Sequence, residues 1–430
     1  MIKNIIITSA KTSSWVSCQV ISPNLVKAYE LCFEKSDYAI FDFNSRQSRY
    51  ETTELAKSIF DLRPQKIIFV DHAPHPLKLL QSLAYFYDGQ EKPILYFHVF
   101  GDFTLYVQEW FELEPLLQNF KVCFLAASHR QQALIQSFCE NFNHSVLYCP
   151  FPVDEKKFYF SSELRKKARL HFNIPKNDFV FTYTGRLSEQ KNILTMIRSF
   201  HHFLAQTSTD SRLYLAGDFD DLGIPFIGIS RSKGFYYQLW RHELSLIPDE
   251  LKKRIIYLGN LQNAELLELC NASDCYLSLS THNDEDFGMS PAEALACGCR
   301  GLLSNWAGYA SFADEKNYVS LVPVDFKKNR INLDYSQLPG QLFKMSAFPQ
   351  QDAISEQISQ HYHERFGIVA ISKLLQNYHS REVSFFTAFG RQFKLLEMAF
   401  STSKNAPFRH QTASHNQLYG NIYAPYFRAT

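Results

Sequence analysis

Two successive series of short apolar, β-prone runs, each interleaved with helical patterns, constrain this chain more than any other feature. The first series places candidate strands at Ile5 to Thr8, Tyr38 to Phe43, Lys66 to Val70, Ile94 to Phe100, Val122 to Ala126 and Val146 to Cys149. The second opens with Phe179 to Thr184, after which Ile193, Met196, Ile197, Phe200, Phe203 and Leu204 recur at helical spacing. Alternation of this kind predicts parallel sheets covered by helices on both faces, an α/β class. A chain of 430 residues is too long for one core and suits two domains. The expected boundary follows Pro150-Phe151-Pro152, in the charged connection from Asp154 to Lys167. That gives domains at 1–155 and 156–380, with a Phe- and Tyr-rich extension at 381–430.

Charge and cysteine usage narrow the function classes. Lys+Arg number 44 against Asp+Glu 43, a net charge of +1, so no global field favours nucleic acid. Nine scattered cysteines without CxxC spacing, in a chain too long to need staples, are expected to be reduced thiols of a cytoplasmic protein. Cys297 and Cys299 flank Gly298 and read as small packed residues, not metal ligands. The first apolar run, Met1 to Thr8, is too short for a signal peptide or a membrane span, and no later segment carries about twenty uninterrupted apolar residues.

Chemistry concentrates in Thr281 to Leu303, THNDEDFGMSPAEALACGCRGLL. The preceding Cys275 to Ser280 reads as a buried strand, and a helical pattern runs from near Ser290 to a stop at Gly298. The loop between them therefore lies at a strand's carboxyl end. There a helix N-terminus offers backbone N–H groups and positive dipole to an anion such as a diphosphate. Ser290-Pro291-Ala292-Glu293 is also a good capping box, so Glu293 has two readings, cap or ligand contact. Glu285, ahead of the helix, is either a solvated surface acid or the partner of Glu293 about the Phe287-Gly288 turn. A second loop, Gly185 to Asn192, follows the strand at Phe179 to Thr184 and carries Arg186 and Lys191. A guanidinium fork and a compact ammonium suit the oxygens of a leaving diphosphate, and both residues are otherwise ordinary solvated loop cations.

Four motifs in this order and spacing, TYTGRLSEQKNI, LYLAGD, IIYLGNL and EDFGMSPAEALACG, resemble the C-terminal half of retaining GT-B glycosyltransferases of family four. The resemblance spans roughly 179 to 310. It implies two Rossmann-like parallel-sheet domains facing across a cleft, with the extension packing back on the N-terminal one. It further implies that Arg186 and Lys191 neutralise the donor diphosphate, that Glu285 faces the donor sugar and that Glu293 holds the ribose hydroxyls. Gly185 belongs to the same donor loop. Backbone groups of Phe287, Gly288, Met289 and Ser290 approach sugar and phosphates, and those near Asn260 and Leu261 lie beside the base. Gly288 suits this role on its own terms, because backbone without a Cβ can approach a ligand closely.

The N-terminal series resembles the family less closely. Where the family carries a paired-glycine loop, this chain has Ser9-Ala10-Lys11-Thr12-Ser13-Ser14-Trp15. His98, late in its strand, occupies the place of a histidine that reaches the donor sugar or phosphate in the family; its other reading is a core histidine bonded to a backbone carbonyl. His72 and His75 follow another strand and are candidates for the acceptor side. The acid-rich loop 282–286 could suggest Mg²⁺ or Mn²⁺, but the resemblance implies that no metal is needed. The run 230–241 mixes bases with aromatics and reads as local packing or as a contact with an interface, acceptor or lipid headgroup at the inner face of the membrane.

The expected function is thus a retaining transfer of a hexose from a nucleoside-diphosphate sugar, a UDP-sugar foremost, to a hydroxyl acceptor on a glycan, lipid carrier or protein. No cofactor beyond the donor is expected. The alternative is a non-catalytic GT-B-like subunit that binds a sugar or another transferase, favoured by the missing glycine loop. The sequence leaves the donor base, the acceptor and the oligomeric state open.

Overall fold

A computed structural model describes residues 2–9, 16–44, 46–71, 76–221, 232–327, 330–333, 336–347, 351–402 and 420–428. The chain divides into two compact units, Met1–Pro152 with Ile368–Pro407, and Val153–Gly367 with Phe408–Thr430.

The first unit is built on strands β1 (Asn4–Thr8), β2 (Tyr38–Asp42), β3 (Lys66–Phe69), β4 (Ile94–Val99) and β5 (Val122–Ala126), with a short β6 (Cys139–Glu140) and β7 (Val146–Tyr148). Its six-stranded sheet runs β2-β1-β3-β4-β5-β7, all parallel, with Ile6 between Ile40 and Ile68 and Phe97 opposite Phe124. Ile5, Ile6, Ile67, Ile68, Leu95 and Phe97 are fully buried, as expected of strands packed on both faces. The order reverses between β1 and β3, and residues 10–15 and 72–75, which follow those strands, lie outside the described residues.

The second unit holds β8 (Phe179–Thr184), β9 (Ser211–Ala216), β10 (Ile255–Tyr257), β11 (Cys275–Ser278), β12 (Arg300–Ser304) and β13 (Val319–Val322). They form a parallel sheet in the order β10-β9-β8-β11-β12-β13. Counted within the unit this is 3-2-1-4-5-6, the doubly wound order whose switch point lies between β8 and β11. The loops leaving those two strands carry the two motifs singled out from sequence. Helix Ile193–Gln206 buries Ile193, Met196, Ile197, Phe200, Phe203 and Leu204, the apolar stripe its spacing requires. A hairpin, β14 (Val324–Lys327) and β15 (Arg330–Leu333), follows the sheet.

The second unit ends earlier than the 380 expected. The chain there forms two helices, Asp352–Phe366 and Ile368–His379, separated at Gly367, where it changes unit. The break has a packing cause. Gly367 is extended, a Cβ there would overlap the Glu155 carboxylate, and the Val153 N–H donates to Phe366 O at 2.8 Å. Helix Ile368–His379 then lies on helix Val16–Cys32 of the first unit.

The extension also divides. Residues up to 402 join the first unit: β16 (Ala388–Phe389) pairs antiparallel with β6, and Phe393 of helix Arg391–Thr402 packs on Phe103, Phe111 and Phe138. Residues 420–428 belong to the second unit, where Phe427 meets Trp306 edge-on at 5.7 Å, so the whole extension does not return to the N-terminal domain as expected.

Candidate donor site on the second sheet

Backbone geometry builds the site before any side chain does. Gly185, at the end of β8, and Gly217, at the end of β9, adopt φ of +138° and +135°. A Cβ on Gly217 would overlap the Gly185 carbonyl oxygen, so the two loops touch backbone to backbone. They are also zipped together. The Leu187 N–H donates to Asp218 O at 2.8 Å and the Asp220 N–H to Leu187 O at 3.0 Å, a short parallel bridge beyond the sheet. Arg186 directly precedes this bridge; the Tyr183 hydroxyl donates to its carbonyl at 2.9 Å, and its Nη1 pairs with the Asp220 carboxylate.

Lys191 closes the short 3-10 turn Glu189–Lys191, and its ammonium pairs with Glu285 on the β11 loop. Their side chains are 15% and 10% exposed, so this pair, unlike Arg186–Asp220, is largely withdrawn from water. Asn192 follows in the left-handed region and donates from Nδ2 to Leu279 O and Thr281 Oγ1, which fastens the β8 loop to the β11 loop. The switch point therefore brings Arg186, Lys191 and Glu285 together.

The Glu285 loop is held from behind by residues 306–309. The Gly308 N–H donates to Glu285 O at 2.8 Å, Trp306 Nε1 donates to His282 O at 3.0 Å, and a Cβ on Gly308 would overlap Asp286 O and Phe287 N. His282 is buried between this support and the two cations. Burial, with Lys191 and Arg186 adding to it, holds its imidazole well below its ordinary range and neutral.

The helix after the loop corrects one expectation. It runs Met289–Ala296 with Gly288 as N-cap at φ +105°, so Ser290 is the second helical residue and no side chain caps the end. Glu293 is therefore not the closing member of a capping box. The Tyr309 ring comes within 2.6 Å of where a Gly288 Cβ would stand and leaves room only for glycine at this N-cap. The uncapped first turn keeps its N–H groups oriented outward, and Ser290 Oγ lies 3.9 Å from the Cβ position of Gly185, which puts this helix end against the β8 loop. Glu293 sits one turn in, part-covered by the chain but deep in its recess. Burial pushes its carboxyl up to about 8, against a smaller opposing pull from Lys157. Cys297 and Gly298, at φ +85°, end the helix where sequence put its stop.

Other donor-side expectations separate by atom. The Phe287 side chain is core, against Phe312 and Phe366 at 5.1 and 5.2 Å, and its N–H is engaged by the Asp286 carboxylate at 2.9 Å, so it is not offered to a ligand here. Met289 and Ser290 remain half-buried at the helix end. Asn260 is exposed after β10, whereas Leu261 packs on the cluster of Ala168, Val180 and Leu269. Gly259 O accepts the Gly217 N–H at 2.7 Å and ties the β10 loop to the other two.

His98 belongs to the first unit and is fully buried there. Its Nε2 shares a 2.8 Å hydrogen bond with the Tyr29 hydroxyl, and burial lowers its pKa to about 3. It shares a sheet face with Tyr96, under helices Val16–Cys32 and Ile368–His379, so it is a core histidine whose partner is a tyrosine and not a residue reaching toward a donor. Lys11, His72 and His75 lie outside the described residues. From the basic–aromatic run, Tyr237 and Trp240 pack with Phe219 and Tyr257 at ring separations of 5.0 to 5.8 Å, a local cluster; residues 230 and 231 lie outside the described residues.

Sequence reasoning passed over Asp220, His282, Gly217 and Gly308. Asp220 carried no local signal, since its partnership with Arg186 is visible only once β8 and β9 are adjacent. Among the described residues no group of three or more His, Cys, Asp or Glu is placed to hold a metal, and no helix is long and apolar enough to cross a membrane.

Residues 165–324 match the family described as glycosyl transferases group 1. No curated protein matches the sequence significantly. Among solved structures, Anabaena Alr3699/HepE in complex with UDP superposes with a TM-score of 0.63 at 16% identity, covering 88% of this chain and 100% of that one. A glycosyltransferase from Rickettsia africae gives 0.62 at 14% identity, covering 88% and 98%, and sucrose-phosphate synthase from Thermosynechococcus elongatus gives 0.58 at 15%, covering 88% and 98%. The match lies within the second unit, and the chain as a whole has the GT-B fold of two parallel-sheet α/β domains.

Proposed function

We propose that the protein is a retaining glycosyltransferase that moves a hexose from a UDP-sugar, or another nucleoside-diphosphate sugar, to a hydroxyl acceptor. One observation carries the reading: Arg186, Lys191, Glu285 and an uncapped helix end meet at the switch point of the second sheet. Two cations and a helix dipole offset a diphosphate's charge with no metal. Arg186 and Lys191 absorb the charge of the departing nucleotide, the leaving phosphate takes the acceptor proton, and Glu285 orients the sugar and stabilises positive character on it. Glu293 receives the ribose hydroxyls. Complexes of Alr3699/HepE with UDP and with UDP-glucose support a uridine donor by analogy of fold. The reaction takes place in the cytoplasm, with an acceptor on a glycan, a lipid carrier at the inner face of the membrane, or a protein.

The test is nucleoside diphosphate release from UDP-, GDP- and ADP-sugars, with the anomeric configuration of the product read by NMR. Release with one donor, retention of configuration and loss in Glu285→Gln and Arg186→Ala are expected; inversion, or release indifferent to both variants, would refute the reading. A non-catalytic sugar-binding subunit is the second reading. The buried His98 and the glycine-free segment 9–15 favour it, and tight nucleotide-sugar binding with no turnover across acceptors would establish it.

A further inference from the structure

We infer that Asp220 is a positioning residue for the donor diphosphate, acting through Arg186; the inference rests on the reading of Arg186 given above. Three features of the fold put it there. The carboxylate pairs with Arg186 Nη1. Its own backbone is fixed to the Arg186 loop, since the Asp220 N–H donates to Leu187 O at 3.0 Å inside the Leu187–Phe219 bridge. Arg186 is fixed from the other side by the Tyr183 hydroxyl on its carbonyl. Acid and base are thus held by backbone on both sides, with the guanidinium oriented by the carboxylate.

A guanidinium has five N–H donors in a rigid fork and can hold a carboxylate and a phosphate at once. A long side chain that is already ordered loses less rotamer entropy when the phosphate arrives. The fold itself has little need of the pair. The side chains are 34% and 22% exposed, and partly solvated ion pairs contribute little to stability. Asp220 is therefore set to act on binding, in contrast to the buried Asp274, which accepts from Arg165, Arg169 and the Val180 N–H as a structural staple.

The test is calorimetric titration of UDP, GDP and ADP into the wild type, Asp220→Ala, Asp220→Glu, Arg186→Ala and the double variant, with melting temperatures recorded to confirm folding. For the nucleotide that binds best, Asp220→Ala should weaken affinity about tenfold. Asp220→Glu should recover most of it, and Asp220→Ala should add nothing in the Arg186→Ala background. Unchanged or tighter binding by Asp220→Ala would mean that the carboxylate is a bystander or a competitor and would overturn the inference. So would an equal loss in both backgrounds, which marks a structural effect independent of Arg186. If Arg186→Ala binds as the wild type does, or no nucleotide binds at all, the donor-site reading itself fails and takes the inference with it; loss with Arg186→Ala but not Asp220→Ala sinks the inference alone.

Discussion

The two units share a sheet architecture but place their candidate polar residues differently. In the second, loops after β8, β9, β10 and β11 are laced by backbone hydrogen bonds, two facing glycines and two ion pairs around one spot. In the first, the polar residue expected to serve the reaction, His98, is turned into the sheet's helical cover and bonded to Tyr29. The same fold thus places chemistry on a sheet edge in one case and under a helix layer in the other. What differs is whether the functional residue lies past the strand's end or within it: Arg186 and Glu285 follow their strands, whereas His98 is still inside β4.

The glycines offer the sharpest way to break that contrast. Gly217→Ala would force a Cβ into the Gly185 carbonyl at an unfavourable φ, and should cost on the order of 3–5 kcal/mol or abolish folding of the second unit in urea titration. Gly89→Ala in the first unit, at φ +67° with open space around it, should cost only about 1 kcal/mol. Equal costs would mean that the loop lacing is not what sets the second unit apart.

Activity gives the next largest difference. Glu285→Gln should lower nucleoside diphosphate release by about 100-fold, while His98→Asn, compared at matched folded fraction, should leave it within about threefold. The reverse order would restore His98 to the donor site and remove Glu285 from it.

The pH dependence separates the buried histidines from Glu293 by sign. In the first unit His98 is buried and His379 half-buried, and withdrawal from water lowers both pKa values from 6.5 to about 3. The unfolded chain then binds more protons across that window, so stability present above pH 6.5 is lost as pH falls toward 3. His282 acts in the same direction in the second unit. Glu293 does the opposite. With its carboxyl raised from 4.5 to about 8 the folded chain holds the extra proton, so stability falls as pH rises from 4.5 through 8. From about pH 7 to 8 the histidines are largely neutral in both states, and wild type should lose stability by at most about 1.4 kcal/mol per pH unit. Glu293→Gln should flatten that slope in denaturation at the two pH values, and a slope that survives the substitution would remove Glu293 as its source. The smallest effect belongs to Tyr29→Phe, which deletes one buried hydrogen bond to His98 and should cost about 1 kcal/mol with nucleotide affinity unchanged.

Much of this arrangement was legible in the sequence because strand-loop-helix order and motif spacing are local. The runs at Val122 to Ala126 and Phe179 to Thr184 are strands with those bounds, and Gly298 ends its helix. Legibility failed where a distant residue decides. Ser290 reads as an N-cap, whereas the helix starts at Met289 behind Gly288, a position that the distant Tyr309 restricts to glycine. His98 had two local readings, and only the Tyr29 hydroxyl, 69 positions away, selects between them. Asp220 was silent for the same reason, since its partner lies on the neighbouring strand's loop.

The facing glycines have one more consequence. Because the Gly185 carbonyl fills the space where a Gly217 side chain would begin, the loop after β9 is not a free module. A chimera that imports a foreign segment over 216–220 must keep glycine at 217, whereas one that replaces 185–192 beside the native Gly217 meets no such clash. In a library over these loops, position 217 is thus the one to hold fixed, since the backbone of its neighbour forbids any side chain there.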